Sequence, residues 1–148
     1  SMLEALKSID TDLPFTIVTE GLLLYFTNDE LKQFLGNIGV LLSQGRNATW
    51  ITDLVTQTNM QELFASHPGV ASSVRRIFEL TGRKIIASNP FQSDGCIQKY
   101  LDEFGLQFNA SIALRELSSR LELTLPFIAE EAGKVVGTRK IWTITKRA

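Results

Sequence analysis

The chain has 148 residues, 44% of them hydrophobic and 21% charged, with a mean hydropathy of +0.06; this is the composition of one globular domain and excludes disordered, collagenous and coiled-coil chains. Fifteen Lys and Arg against sixteen Asp and Glu leave a formal net charge of -1, so no field exists to hold a polyanion, and neither nucleic acid nor an acidic membrane surface is expected as a partner. Cys96 is the single cysteine, which excludes an internal disulfide and a multi-thiolate zinc site and points to a reducing, cytoplasmic setting.

The longest apolar run, around Gly21 to Phe26, falls far short of the roughly 20 residues of a membrane helix, so no span is expected. Ser1-Met2 lacks the basic start and apolar run of a signal peptide and reads as a remnant ahead of a start near Met2. Leu3, Leu6 and Ile9 predict one or two helical turns before the polar stop Asp10-Thr11-Asp12. Pro14 then opens a strand over 15–19, and its β-branched residues on both faces predict a buried strand of parallel type. Thr27-Asn28-Asp29-Glu30 is a capping box, and the stripe Leu31, Phe34, Leu35, Ile38 and Leu42 carries the helix it starts. Gly45 is read as the left-handed residue that ends this helix. Ala48 to Asp53 reads as a second strand, so strand, helix and strand form a right-handed crossover with a parallel pair.

From Thr58 to Pro90 the pattern changes to short helices, a helical insert within a single domain spanning 1–148. Met60, Leu63 and Phe64 mark one piece; Val70, Val74, Ile77 and Phe78 mark another after the Pro68-Gly69 break, with Gly82 as its stop. Ser93 is the expected cap of the next helix, with the stripe Ile97, Tyr100, Leu101 and Phe104 and the exit Gly105. Leu106, Phe108, Ala110 and Ile112 alternate as in a half-exposed strand. Leu114, Leu117 and Leu121 suggest a brief helix, against which the alternation Leu121, Leu123, Leu125 competes. Residues 139–145 form the last expected strand, after a turn between Gly133 and Gly137.

The stretch Glu20-Gly21-Leu22-Leu23-Leu24-Tyr25-Phe26 lies between the Pro14 strand and the Thr27-capped helix. Gly45, the strand to Asp53, the insert, Tyr100-Leu101-Asp102-Glu103-Phe104-Gly105 and a closing strand follow it in order. This succession resembles the leucine carboxyl methyltransferase family, which includes the polyketide O-methyltransferases. The resemblance implies the α/β, Rossmann-like class I methyltransferase fold, a seven-stranded sheet whose last strand is antiparallel and lies between the fifth and sixth. It implies that this chain is the C-terminal half, about four strands with the last one antiparallel, and that the insert is part of a lid over the methyl acceptor. The implied activity is S-adenosylmethionine-dependent O-methylation of a carboxylate or hydroxyl acceptor. The family's acidic-x-Gly-x-Gly loop and ribose-holding acid have no counterpart. The ten glycines include no G-x-G pair, and Gly36-Asn37-Ile38-Gly39 lies inside a helix. The chain alone is therefore expected to be inactive, and no catalytic residue is assigned.

In an open α/β sheet, ligands lie beyond the carboxyl ends of the strands, where Glu20 and Asp53 belong. The resemblance implies that Glu20 contacts the amino-acid end of S-adenosylmethionine, whose ammonium and neighbouring sulfonium both call for an anion; the plainer reading is a cap on the following turn. Gly21 either lets backbone approach the ligand or makes a tight exit from the strand. Tyr25 either directs its hydroxyl into the acceptor pocket or, the reading preferred here, belongs to the core beside Leu24 and Phe26. Asp53 either faces the cofactor pocket or is a loop acid facing water. His67, the single histidine, reads as a solvated loop residue, and no metal is expected. Arg75-Arg76 and Arg83-Lys84 either attract an acidic substrate or form a solvated helix face. Cys96, in the first turn of a helix, reads as a packed thiol. A second function class fits the same chain: a non-catalytic half-fold that self-associates through the unpaired edge of strand 15–19, as a homo-oligomer.

Overall fold

A computed structural model of the chain describes residues 12–82, 91–120 and 140–147. The expected early helix over Leu3 to Ile9, Arg83-Lys84, the alternation from Leu121 to Leu125 and the turn from Gly133 to Gly137 lie outside these residues. In chain order the elements are β1 (Thr16–Thr19), a 3-10 turn (Leu23–Tyr25), α1 (Asn28–Gln44), β2 (Thr49–Leu54), α2 (Gln57–Ser66), α3 (Pro68–Thr81), α4 (Asp94–Asp102), β3 (Leu106–Ala113), α5 (Leu114–Arg120) and β4 (Lys140–Lys146).

The four strands make one mixed sheet in the order β1-β2-β4-β3. β1 and β2 are parallel, with Thr16 opposite Thr49 and Thr19 opposite Thr52. β4, the last strand, runs antiparallel to both neighbours, placing Trp50 opposite Ile144 and Trp142 opposite Ser111. The fold is thus α/β, and the final strand lies between the second and the third.

Residues facing each other across a ladder share a face of the sheet, and neighbours along a strand alternate. One face carries Ile17, Thr19, Trp50, Thr52, Leu54, Trp142, Ile144 and Leu106. Leu31, Phe34, Leu35, Ile38 and Leu42 of α1 and Ile97 and Leu101 of α4 join it in a single buried cluster. The opposite face carries Val18, Ile51, Ile141 and Thr143, none of them buried. β1 is therefore not the buried strand that its β-branched residues predict. Among the described residues it pairs with β2 alone, and Val18 is 67% exposed. Thr49 N–H donates to the Phe15 carbonyl at 3.0 Å, so Phe15, Ile17 and Thr19 turn their peptide groups to β2 and Thr16 and Val18 turn theirs outward.

α1 starts where the capping box predicts. Glu30 N–H donates to Thr27 Oγ1 at 3.3 Å and Thr27 N–H to Glu30 Oε2 at 2.8 Å. Its end differs from expectation, because Gly45 is extended (φ -92°, ψ 141°) and the positive φ belongs to Asn47 (56°). Gly45 answers a packing demand instead. A Cβ there would collide with the Phe15 ring and come within 2.8 Å of Ala48 Cβ. Gly82 and Gly105 do take the left-handed conformation expected of helix exits, both at φ 65°.

The insert begins at Gln57, one residue before the predicted start, and is fastened where it leaves the body. Gln57 N–H donates to the Phe91 carbonyl at 2.8 Å and Thr58 N–H to the Gln92 carbonyl at 3.2 Å. Pro68 at the first position of α3 breaks the two helices apart, as Pro-Gly predicts. Ser93 precedes α4 as expected, but its hydroxyl makes no cap and lies 3.5 Å from Cys96 Sγ. β3 departs from simple alternation, because Phe108 pairs with Ile144 and Ala110 with Thr143, leaving Asn109 as a bulge. The extra residue reverses the pleat, so Ala110 and Ile112 point to the face opposite Leu106 and Phe108.

Candidate functional site

β1 and β2 run side by side in one direction, so both carboxyl ends reach the same rim of the sheet. There the chain leaves β1 through Glu20, whose side chain is exposed, and turns at Gly21 with φ 62°. That φ is what a glycine supplies at no steric cost. Among the described residues, chain neighbours aside, a Cβ on Gly21 would meet nothing within 4 Å, so they leave the space in front of the turn open. Both readings of Gly21 are compatible with this geometry, and the tight exit is realised.

Behind the turn stands Asp53, the residue of β2 that follows Thr52. Its Oδ1 accepts the Gly21 N–H at 2.8 Å, and the residue is only 6% exposed. The water-facing reading of Asp53 is therefore corrected: its place on a strand rather than a loop carries it under the turn. On the core face of the same two strands, Trp50 Nε1–H donates to Thr19 Oγ1 at 2.9 Å and the Thr19 hydroxyl donates to Thr52 Oγ1 at 2.8 Å. Thr52 is 1% exposed, so its hydroxyl needs such a partner, and the Thr19–Thr52 register supplies one. These bonds and the Asp53–Gly21 bond tie the two carboxyl ends together immediately below Glu20. Chain reading misses Thr19, Thr52 and Trp50 as members of the site, because only the strand register brings them together.

Tyr25 is not a core residue. It is 39% exposed, and its ring lies 5.8 Å from that of Phe78, which is buried on α3 of the insert. The 3-10 turn puts Tyr25 on the outside of the loop, so its contact is with the insert rather than with the sheet. His67 is the loop residue expected, but it is half-buried rather than fully solvated. It joins α2 to α3, its N–H donates to the Leu63 carbonyl at 2.9 Å, and its Nδ1 is buried with no hydrogen-bond partner among the described residues. Cys96 is half-buried, and Ser93 rather than a base faces its sulfur. Arg75 and Arg76 lie on the solvated face of α3.

Among the described residues no group of His, Cys, Asp and Glu is arranged to hold a metal ion. Among them, too, no helix is long and apolar enough to cross a membrane. A broad recess of about 570 Å³, lined by Leu42, Ser43, Asn47, Thr49, Thr145 and Lys146, opens at the amino end of β2, the rim opposite Glu20. It lacks an acid and brings in none of the sequence-predicted site residues.

What the Glu20 rim offers is one solvent-facing carboxylate beside a turn held by the Gly21–Asp53 bond. No model of a known protein family matches this chain, and no curated protein does.

Proposed function

We propose that this chain is the C-terminal half of an S-adenosylmethionine-dependent O-methyltransferase, in which Glu20 holds the amino-acid end of the methyl donor. The observation that carries the reading is the exit from β1: an exposed acid and a left-handed glycine at the carboxyl end of a parallel strand. The sheet order β1-β2-β4-β3, with the last strand antiparallel between the second and third, supports it, being the order that the family resemblance implies.

The residues fit one end of the cofactor. The Glu20 carboxylate suits an ammonium next to a sulfonium, and the described residues leave room for them over Gly21. The adenosine end finds no counterpart, since the chain has no G-x-G turn. When bound, the cofactor supplies an electrophilic methyl group on positive sulfur. This chain's own part is to hold that positive tail at Glu20 and to wall the acceptor side with Tyr25 and the insert, through Phe78. A carboxylate acceptor is already an anion and needs no base to deprotonate it. Binding by a half-site is weak, about millimolar or about 4 kcal/mol, and the chain alone turns over no substrate.

The test is a titration with S-adenosylmethionine followed by amide NMR. The reading expects shifts confined to Gly21, Leu22 and their neighbours, absent in Glu20→Ala. Shifts of equal size in Glu20→Ala, or none at millimolar ligand, would overturn it. A second reading, a self-associating module, is favoured by one observation: the outer edge of β1, with Val18 67% exposed and the peptide groups of Thr16 and Val18 turned away from β2.

A further inference from the structure

We infer that Asp53 is a positioning residue for Glu20: its buried carboxylate on β2 selects the Gly21 turn and so sets where the Glu20 side chain leaves the sheet. The inference rests on the reading of Glu20 as the acid that holds a cationic ligand. Asp53 occupies the sheet face that also carries Ile51 and Ile141, and Ile141 stands directly opposite it in the ladder. An apolar residue suits such a position, and burying a carboxylate there is costly unless its oxygens are bonded. One of its bonds is to the first peptide group past Glu20, the Gly21 N–H at 2.8 Å.

Glycine alone does not hold a turn. It visits positive and negative φ about equally, so Gly21 needs an outside contact to stay at 62°. At the Cβ position itself no atom of the described residues beyond its chain neighbours lies within 4 Å, so nothing packed there fixes the sign of φ. The bond to Asp53 does, and it is charge-assisted. It has an electrostatic consequence as well: the Gly21 N–H points inward at Asp53, so its positive end is withdrawn from the space that a cation would enter. Thr19, fixed through Trp50 and Thr52, anchors the residue on the other side of Glu20.

Amide NMR on the full chain tests this at two levels. In the wild type, a coupling across the hydrogen bond between Gly21 15N and Asp53 13Cγ is expected, and its absence in the folded protein would overturn the inference without any variant. In Asp53→Ala, Gly21 amide exchange is expected to speed up about tenfold, as loss of a hydrogen bond to a charged group requires. The response of Gly21 and Leu22 to millimolar S-adenosylmethionine should weaken about tenfold with it. Asp53→Asn, whose amide oxygen takes the same N–H, should restore both. A Glu20-dependent response that survives Asp53→Ala unchanged, or an Asn variant as damaged as the Ala variant, would overturn the positioning role alone. A wild type with the coupling but with no Glu20-dependent response would overturn the functional reading, and the inference with it.

Discussion

Gly36 and Gly39 lie one turn apart in α1, and the same substitution is expected to act on them with opposite sign. In a helix interior, Gly→Ala gains about 0.8–1.0 kcal/mol of propensity. At Gly36 a Cβ meets no atom of another part of the described structure within 4 Å, so Gly36→Ala should stabilise the protein by about that amount. At Gly39 the Cβ would lie 2.6 Å from the Phe104 carbonyl oxygen. That oxygen has little freedom to retreat. Phe104 N–H is bonded to the Leu101 carbonyl at 3.0 Å, Gly105 is fixed at φ 65°, and its carbonyl accepts Arg147 N–H at 2.9 Å. Overpacking of this kind costs about 1–3 kcal/mol, so Gly39→Ala should be neutral to destabilising by about 2 kcal/mol after its propensity gain. The two variants should therefore differ by about 1–3 kcal/mol, or about 2–12 °C in Tm for a chain of this size. Urea unfolding followed by the fluorescence of Trp50 and Trp142, both buried, measures it. If the two variants shift stability equally, the close approach of α1 to the corner between α4 and β3 is wrong.

Val18→Lys places a charge on β1 at a site 67% exposed, so stability should change by less than about 0.5 kcal/mol, while the self-association that the second reading expects should be lost. Light scattering over a concentration series checks this, and a wild type that is monomeric throughout would count against the edge as an interface. Burial, reinforced by the charges of Glu103 and Asp29, holds the Tyr100 phenol above its usual range, and its O–H donates to Asn28 Oδ1 at 3.2 Å. Tyr100's contribution is fully present below the unfolded phenol pKa of about 10 and is lost as pH rises from there through the folded pKa. Tyr100→Phe should lower stability at neutral pH by about 1 kcal/mol and flatten its fall on the alkaline side. Equal alkaline slopes in the two proteins would refute the assignment.

What the chain order reveals here is local. α1 is legible from Thr27 to Leu42 because a capping box and a 3.6-residue stripe lie wholly within it, and the β1–β2 parallel pair follows from the crossover between them. The place of β4 between β2 and β3 is not written in its periodicity; it came only with the family resemblance. What stayed hidden depends on register and on neighbours distant in sequence. Gly45 looks like a helix stop until Phe15 is set against it. The reversal at Asn109 appears only once β3 is laid along β4. Asp53 looks like a loop acid until β2 is paired with β1, which carries it under Gly21. Tyr25 looks like core because its sequence neighbours are apolar, whereas the element it touches is contributed by Phe78. Glu20 was legible as a candidate through the motif around it, and the structure adds the turn that presents it.

The most direct measurement is equilibrium dialysis of methyl-labelled S-adenosylmethionine against wild type and Glu20→Gln, which removes the charge and keeps the shape. Retention by the wild type that disappears in the Gln variant, with unfolding midpoints unchanged because Glu20 is exposed, is the predicted result. Equal retention by both proteins, or no retention by either, would contradict the assignment of that carboxylate to the positive tail of a methyl donor.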